Sequence, residues 1–523
     1  MSDLLHSLLD HPPAMLRAIA EVNGVRLASN AARAMAEQLA KELSDPAYLP
    51  AVVASCSLPA QAALRDLLDR GGHMPWTTFA LRYGFIRPMG PGRLEREQPH
   101  RAPASPAEEL WYRGLIFRGF RSAGAGLAEF VYIPADVAQQ LSLPPTPVPS
   151  ASLPAQPAPS RVHAFGDGLL HDMGTLLAFV QAGQAQPATA GTGMAWRSST
   201  LYELRRFLLH PPPSDEDFSA ADAAGPAALV LTLAHELGWV RRSRGRWTLD
   251  HRAAHEWLAA PRAVQRRTLL DAWRTSTAWN DLCRTPSLRC EATGSWANDP
   301  TATRARVLPL ALELLDDRWA SLADLIAAIR RLAPDFQRGE DGFDTWYVRL
   351  RAEPRYLRGV EHWDAVEGAL LRFLFTGPLF WLGAVELDAT EVAEAVEPLR
   401  PTDHAAVHWT AAGRAWLAGD PPPPEPCDGR IAVLPDFTVV VPADAPLLER
   451  FRVSRFTTWT PGGPPFRYRI TQNGLRRAAA QGITAQRILA YLREQVGDAL
   501  PPNVARALER WRARPAVAQA RSR

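Results

Sequence analysis

The stretch from Ile431 to Trp511 constrains the fold more than any other part of this chain. Apolar residues alternate in IAVLPDFTVVV, which predicts two short strands that turn at Pro435-Asp436. Helical spacing follows over residues 445–459, FRYRIT predicts another strand, and Thr471 can cap the helix after it. Beyond Gly482, apolar residues recur on one side of a further helix, at Ile488, Leu489, Leu492 and Val496. The pattern predicts a compact β-β-α-β-α-α unit.

Three strings in this stretch, LPDFTVVV, RITQNGLRRAAAQGITAQRILAYL and LPPNVARALERW, resemble the helicase-associated domain found in front of XPB-type helicases. The same domain closes the winged-helix subunit of the eukaryotic factor TFIIH that binds XPB. The residues that match the family's motifs are Asp436, Phe437, Thr471, Gly482, Ile483, Thr484, Ile488 and Leu492. The resemblance implies a docking or DNA-contacting module without chemistry of its own, and an XPB-like helicase as a partner in trans. The rest of the chain is similar, by pattern, to bacterial proteins that place winged-helix modules ahead of this domain.

The chain has no helicase motor of its own. Its single lysine, Lys41, lies in the helical, glycine-free context AEQLAKELSD. A phosphate-binding loop needs the pattern G-x-x-x-x-G-K-[ST], whose lysine contacts the β- and γ-phosphates. We therefore predict a protein that is not an enzyme, takes no cofactor and has no small-molecule substrate.

Proline-rich segments divide the chain. Two stand out, SLPPTPVPSASLPAQPAPS before residue 161 and DPPPPEP before the C-terminal unit. Together with the helical and strand patterns, they predict eight segments: a helical segment 1–45, a winged-helix-like module 46–141, a linker 142–160, a second module 161–275, a third module 276–419, a polyproline spacer 420–427, the helicase-associated domain 428–515 and a basic tail 516–523. The predicted fold class is mainly α with small β elements (α+β), as tandem winged-helix modules followed by a compact α/β domain.

Each predicted module consists of helices followed by a strand–turn–strand. In the first module, Ser105 and Glu108 predict a capping box that opens a helix through LWYRGLIFRGF, and a hairpin follows over RSAGAGLAEFVYIP. In the second, AALVLTLAHELG ends at Gly238, and WVRRSRGRWTL predicts two strands around Ser243-Arg244-Gly245.

Two groups of arginines are candidates for DNA contact. The second hairpin carries Arg241, Arg242, Arg244 and Arg246, and a guanidinium at a hairpin tip suits phosphate or minor-groove contact. The alternative is a solvated turn in a protein that uses arginine throughout. Arg113, Arg118 and Arg121 lie on or after the third helix of the first module, where a recognition helix is expected, although many winged helices bind proteins instead. The cluster Arg262, Arg266 and Arg267 is interpreted as a solvated helix face.

Metal and disulfide patterns are weak. The pairs His251/His255 and His404/His408 have helical i, i+4 spacing but no suitably placed cysteine. The four cysteines are too few and too scattered for a disulfide scaffold. No signal peptide or membrane span is recognisable, and the net charge is only +3. These features predict a cytoplasmic protein without a membrane partner and without bound metal.

The sequence thus predicts a non-enzymatic adaptor that binds DNA, a helicase or both, in DNA repair or transcription. The alternative is a DNA-binding transcriptional regulator built on winged helices.

Overall fold

The computed structural model describes residues 3–123, 126–141, 153–188, 195–213, 216–291, 298–337, 347–357, 360–388 and 405–512. About half of these residues are helical, and the strands form small antiparallel sheets, which confirms an α+β class. The chain divides into two compact units. Unit 1 comprises the described parts of Met1–Ser152, Ala327–Tyr347 and Leu357–Asp364, and unit 2 the described parts of Leu153–Ile326, Val348–Tyr356 and Ala365–Arg523.

Unit 1 begins with a run of helices that share one apolar core with a three-stranded sheet of order β1-β3-β2. The elements are α1 Leu4–Leu9, α2 Pro13–Val22, α3 Ala32–Leu43, α4 Leu49–Ala54, α5 Leu58–Asp69, β1 His73–Pro75, α6 Trp76–Tyr83, α7 Pro91–Glu97, α8 Pro106–Tyr112, β2 Phe117–Ala123, β3 Gly126–Tyr132 and α9 Ala135–Gln140. The core extends from Leu4 to Val137 without a break at residue 45, because α1, α2 and α3 pack on one another and α2 also packs on α7 and α8.

The predicted helix through LWYRGLIFRGF is wrong beyond its second turn. Ser105 caps α8 as predicted, its side chain accepting from the Glu108 amide. The helix ends at Tyr112 because Gly114 adopts the left-handed conformation, with φ of 68°. The Leu115 amide then bonds back to the Leu110 carbonyl oxygen, which is a helix-ending pattern. Phe117 consequently opens a strand that pairs along its length with β3.

Unit 2 contains the other sheets. Its elements are β4 Val162–His163, α10 Gly168–Gln181, α11 Ser198–Arg205, α12 Pro226–Glu236, β5 Val240–Ser243, β6 Arg246–Leu249, α13 His251–Ala259, α14 Arg262–Thr275, α15 Asp281–Arg284, β7 Leu288–Cys290, α16 Pro300–Leu315, β8 Ala320–Ser321, α17 Leu322–Leu332 (whose residues are divided between the units), β9 Val348–Leu350, α18 Ala369–Thr376, α19 Pro378–Trp381, β10 Val385–Asp388, β11 Ala406–Trp409 and α20 Ala411–Ala418. Its sheets have the orders β4-β10-β11-β8, β5-β6 and β7-β9.

The C-terminal part of unit 2, called the C-terminal unit below, begins β-β-α as predicted, but it continues with two strands where one was predicted and three α-helices where two were predicted. It contains β12 Ala432–Val433, β13 Thr438–Val441, α21 Leu447–Ser454, β14 Thr458–Trp459, β15 Phe466–Arg469, α22 Gln472–Ala480, α23 Ala485–Val496 and α24 Pro502–Arg512. The four strands form an antiparallel sheet of order β12-β13-β15-β14. One difference is that helical spacing over 445–459 gives a helix only to Ser454, because Thr458 and Trp459 pair with β15.

Two further findings concern the cysteines and the helices. Cys283 and Cys290 form a disulfide between α15 and β7, which the scattered cysteine spacing did not indicate. Cys56 and Cys427 are unpaired thiols. None of the described helices is both long enough and apolar enough to cross a bilayer.

Candidate nucleic-acid interface

The β5–β6 hairpin presents the arginines that the sequence singled out in the second module. Ser243 pairs with Arg246, so Arg244 and Gly245 form a two-residue turn. Both turn residues have positive φ, 48° and 74°, as a type I′ turn requires. Glycine adopts this conformation readily, and its presence at the second turn position lets the two strands reverse tightly. The hairpin therefore places Arg244 at its tip.

A cluster of aromatic rings anchors the hairpin. Trp247 of β6 is buried and stacks on Trp196 with ring centroids 5.4 Å apart, while His235 of α12 lies 4.6 Å from Trp247. The Trp196 indole N–H donates to Nε2 of His235 over 3.1 Å, and an indole can only donate. His235 therefore carries its proton on Nδ1, which donates to the Val240 carbonyl oxygen of β5. Burial lowers the pKa of His235 and favours this neutral form.

Most of the hairpin's positive charge points to solvent. Arg241 is held at the base of the hairpin, where it donates to the Gly238 carbonyl oxygen and lies 3.3 Å from the Asp250 carboxylate. The remaining side chains are exposed and form no ion pair with any residue in the described ranges: Arg242, Arg244 and Arg246. Three guanidinium groups on this hairpin can donate hydrogen bonds to phosphate oxygens without first breaking an ion pair with a described residue.

Arg113 has a different environment. It lies at the C-terminal end of α8 and not within a recognition helix. Its guanidinium donates to the hydroxyl and carbonyl oxygens of Ser55 and lies 3.7 Å from the Glu109 carboxylate. These contacts join α8 to the end of α4.

Arg118 and Arg121 both lie on β2. The Arg118 guanidinium is 4.3 Å from the centre of the Trp76 ring and 2.5 Å from the Glu129 carboxylate. The Arg118 guanidinium therefore already makes a cation–π contact and an ion pair inside unit 1. Arg121 follows three residues later on the same strand, and its side chain lies outside the described set.

The interpretation of Arg262 and Arg266 as a solvated face is wrong. Arg262 is 2% exposed, lies 3.1 Å from the Asp167 carboxylate and donates to the Ala445 carbonyl oxygen. Arg266 pairs with Asp167 and also with Glu425 of the proline-rich spacer. Because the partners of these arginines are about 100 to 180 residues away in sequence, the residues around Arg262 and Arg266 do not indicate that the two side chains are buried. The two arginines fasten the spacer and the C-terminal unit to α14.

Arg450 of α21 makes a second fastening. Its guanidinium is buried, lies 3.6 Å above the centre of the Phe466 ring and donates to the Tyr468 hydroxyl. It also crosses to α10, where it donates to the His171 carbonyl oxygen and the Thr175 hydroxyl. The C-terminal unit is thus attached to α10 by hydrogen bonds that a buried guanidinium cannot lose without cost.

The family-motif residues have structural positions. Asp436 accepts from the amide and hydroxyl of Thr438 at the β12–β13 turn, where Phe437 has φ of 70°. The side chains of Thr471 and Thr484 cap α22 and α23. Gly482 has φ of 77° between these helices, Ile483 is half-buried, and Ile488 and Leu492 enter the core. The motif therefore specifies the local fold of the C-terminal unit.

Histidines and acids do not gather into a metal centre in the described part of the chain, where no group of three or more potential ligands is close enough. His251 and His255 are exposed on α13. His408 lies on a strand, β11, and not on a helix; its ring lies between Glu386 and Asp317. His404 lies outside the described residues.

Comparison with known proteins leaves the family open: no protein-family model and no curated protein matches this chain.

Proposed function

We propose that this chain is a non-enzymatic DNA-binding adaptor that acts with an XPB-like helicase. The observation that supports it best is the β5–β6 hairpin, on which Arg242, Arg244 and Arg246 are exposed and without internal ion pairs among the described residues. Guanidinium groups bind phosphate through paired hydrogen bonds, and a narrow hairpin tip can enter a groove.

The winged-helix interpretation supports the same proposal. In unit 2, α11 and α12 precede the β5–β6 hairpin, and in unit 1, α5, α6 and α8 precede the β2–β3 hairpin. In winged-helix proteins the hairpin forms the wing. The arginine-rich wing of the second module is the proposed DNA contact, because two of the candidate arginines of the first module, Arg113 and Arg118, already have internal partners.

The helicase part of the proposal rests on the resemblance of Ile431–Trp511 to the helicase-associated domain. That stretch folds as an α/β unit with a four-stranded antiparallel sheet. Sheet edges such as β12 and exposed faces of α23 and α24 offer surfaces of the kind that related domains use for pairing.

DNA binding is tested with a triple variant, Arg242→Ala, Arg244→Ala and Arg246→Ala. Wild-type affinity for a labelled duplex should fall with log[salt], with a slope of about −0.9 per phosphate neutralised. The variant should bind more weakly and with a shallower slope, irrespective of DNA sequence. The matched control removes the same charge from exposed sites of unit 1, at Arg33, Arg93 and Arg101. Equal DNA affinity and equal salt slope in the two variants would show that the hairpin is not the DNA-binding site.

Helicase binding is tested with purified full-length chain and a purified XPB-like helicase from the same organism. Co-elution in size-exclusion chromatography is expected, and the isolated N-terminal domain of the helicase should compete with it. Failure to form a complex at micromolar concentrations would contradict this part of the proposal and leave the DNA part intact.

A further inference from the structure

One face of the C-terminal sheet is open to solvent. Arg469 of β15 pairs with Thr458 of β14 on one side and with Thr438 of β13 on the other. Arg467 of β15 pairs with Val440 of β13, and Val440 pairs in turn with Ala432 of β12. Directly opposed residues of antiparallel strands project from the same side of the sheet. These six residues therefore form two cross-strand rows, which we call the outer face: Ala432, Thr438, Val440, Thr458, Arg467 and Arg469.

The opposite face is the one that holds the core. Val439, Val441, Phe466 and Tyr468 alternate with the outer-face residues and are buried together with residues from α21, α22 and α23. On the outer face, by contrast, Arg467, Arg469, Thr458 and Ala432 are exposed, and Thr438 and Val440 are half-buried. A sheet with a single covered face leaves its second face available to a partner.

Charge indicates the kind of partner. Residues 430–512 contain 13 arginines and 6 acidic residues, although the net charge of the whole chain is only +3. The remainder of the chain is therefore net negative, and the positive charge is concentrated in the C-terminal unit. A local excess of this kind attracts polyanions and supports contact with a phosphate backbone.

The composition of the outer face indicates how a nucleic acid would be held. Its aromatic neighbours Trp459 and Tyr468 are on the buried side, so the outer face offers no ring for base stacking. The nearest acid along the chain, Asp436, accepts hydrogen bonds from Thr438 at the end of the row that contains Arg469, and the Arg469 charge helps to lower the pKa of this carboxyl. Two guanidiniums and small side chains remain, which suits contact with phosphates and not with bases.

We infer that the outer face binds the phosphate backbone of DNA, as a contact separate from the β5–β6 hairpin and without sequence preference. This inference rests on the proposed DNA-binding function but uses different residues. Arg467 and Arg469 are the two contacts, and Thr438, Val440 and Thr458 provide a flat surface on which the strand lies.

The test uses the full-length chain with Arg467→Ala and Arg469→Ala, and measures fluorescence anisotropy of a labelled duplex and a labelled oligo-dT strand over a range of salt. The double variant should weaken binding to every sequence and reduce the salt slope by about 1.8, since each lost phosphate contact removes about 0.9. Replacing the same residues with lysine should retain most of the slope, because the charge remains. The duplex and single-strand arms show which form of DNA the face prefers.

The matched control is Arg476→Ala with Arg487→Ala. These exposed arginines belong to the same unit but lie on α22 and α23, which cover the opposite side of the sheet. A double variant at Arg467 and Arg469 that matches this control in affinity and slope would overturn the inference, even if the hairpin variant loses binding and the proposed function stands. The reverse result, loss only in the outer-face variant, would support the outer face and reject the hairpin. Binding of the wild type to a poly-glutamate peptide in preference to DNA would also overturn it.

Discussion

The carboxylate of Asp281 and the guanidinium of Arg304 lie 2.6 Å apart, and both side chains are almost completely buried. Arg304 also donates to the carbonyl oxygens of Trp273 and Ser276, and the Trp279 indole N–H donates to Asp281. The pair thus ties α14, α15 and α16 together inside unit 2. Its hydrogen bonds occupy both the acid and the guanidinium, which is the condition under which a buried ion pair is tolerated.

Breaking this pair from one side should be costly. Asp281→Ala leaves the Arg304 charge buried without its partner, so the free energy of unfolding of unit 2 should fall by about 3–5 kcal/mol. Urea denaturation followed by tryptophan fluorescence measures the change. Asp222→Ala is the control, because Asp222 pairs with Arg351 at the surface, where both side chains are well exposed. That control should change stability by no more than about 1 kcal/mol. A similar loss of unfolding free energy in the two variants would contradict the expectation that the buried ion pair stabilises the fold more than the exposed one.

Removing the aromatic anchor should disable the hairpin without removing any charge. Trp247→Ala deletes the ring that packs on Trp196 and His235, and substitutions of this kind cost about 3–5 kcal/mol in a core. The expected result is DNA binding as weak as that of the triple arginine variant. Tyr202→Ala, at a 59% exposed side chain, is the control and should bind normally. A Trp247→Ala protein with wild-type DNA affinity would show that the arginines act without this anchor.

Gly413 should not tolerate a side chain. A Cβ at this position of α20 would lie 2.1 Å from the Ala384 carbonyl oxygen, which also accepts from Thr410. Gly413→Ala must therefore displace α20 from β10, at a cost of about 1–3 kcal/mol in thermal or urea unfolding. Gly92→Ala places its methyl in open space on α7 and should be neutral or slightly stabilising. An unchanged unfolding midpoint in the Gly413→Ala protein would contradict this packing.

Acid should weaken unit 2 through His171. Burial, together with the Arg450 and Arg262 guanidiniums, lowers the pKa of His171 to about 2. As pH falls below about 6.5, the His171 imidazole is protonated in the unfolded chain but stays neutral in the folded protein. Stability is therefore full above this pH and falls below it, by at most about 1.4 kcal/mol per pH unit for this one group. His171→Leu should show a shallower decline between pH 7 and pH 5 in urea denaturation. Parallel profiles for both proteins would exclude His171 as a source of acid sensitivity.

The elements that sequence could predict are those specified by neighbouring residues. Thr471 caps its helix within three residues, and Arg244-Gly245 forms the turn of its own hairpin. Such signals act over one turn of chain, and the structure has them where the pattern placed them. Gly114 had the same kind of local effect on α8, but the apolar run around it looked like a continuing helix.

The contacts that sequence could not predict join distant segments. Arg266 and Glu425 are 159 positions apart, and Arg450 and His171 are 279 apart. Nothing in the composition of α14 distinguishes arginines that will be buried from those that will be solvated. Whether such an arginine is buried depends on which distant segments pack against it in the folded chain. The residues next to it in the sequence do not indicate those segments.

The hydrogen bonds of Arg450 to α10 determine which fragments of this protein can fold by themselves. A fragment that starts at the proline spacer retains Arg450 but loses the His171 carbonyl and the Thr175 hydroxyl that accept from it. Conversely, a protein truncated at Asp420 leaves Arg262 without the Ala445 carbonyl oxygen and exposes the apolar surface of α10. Expression boundaries drawn at the polyproline segment should therefore yield insoluble pieces, whereas a fragment that begins ahead of Asp167 retains both sides of the joint.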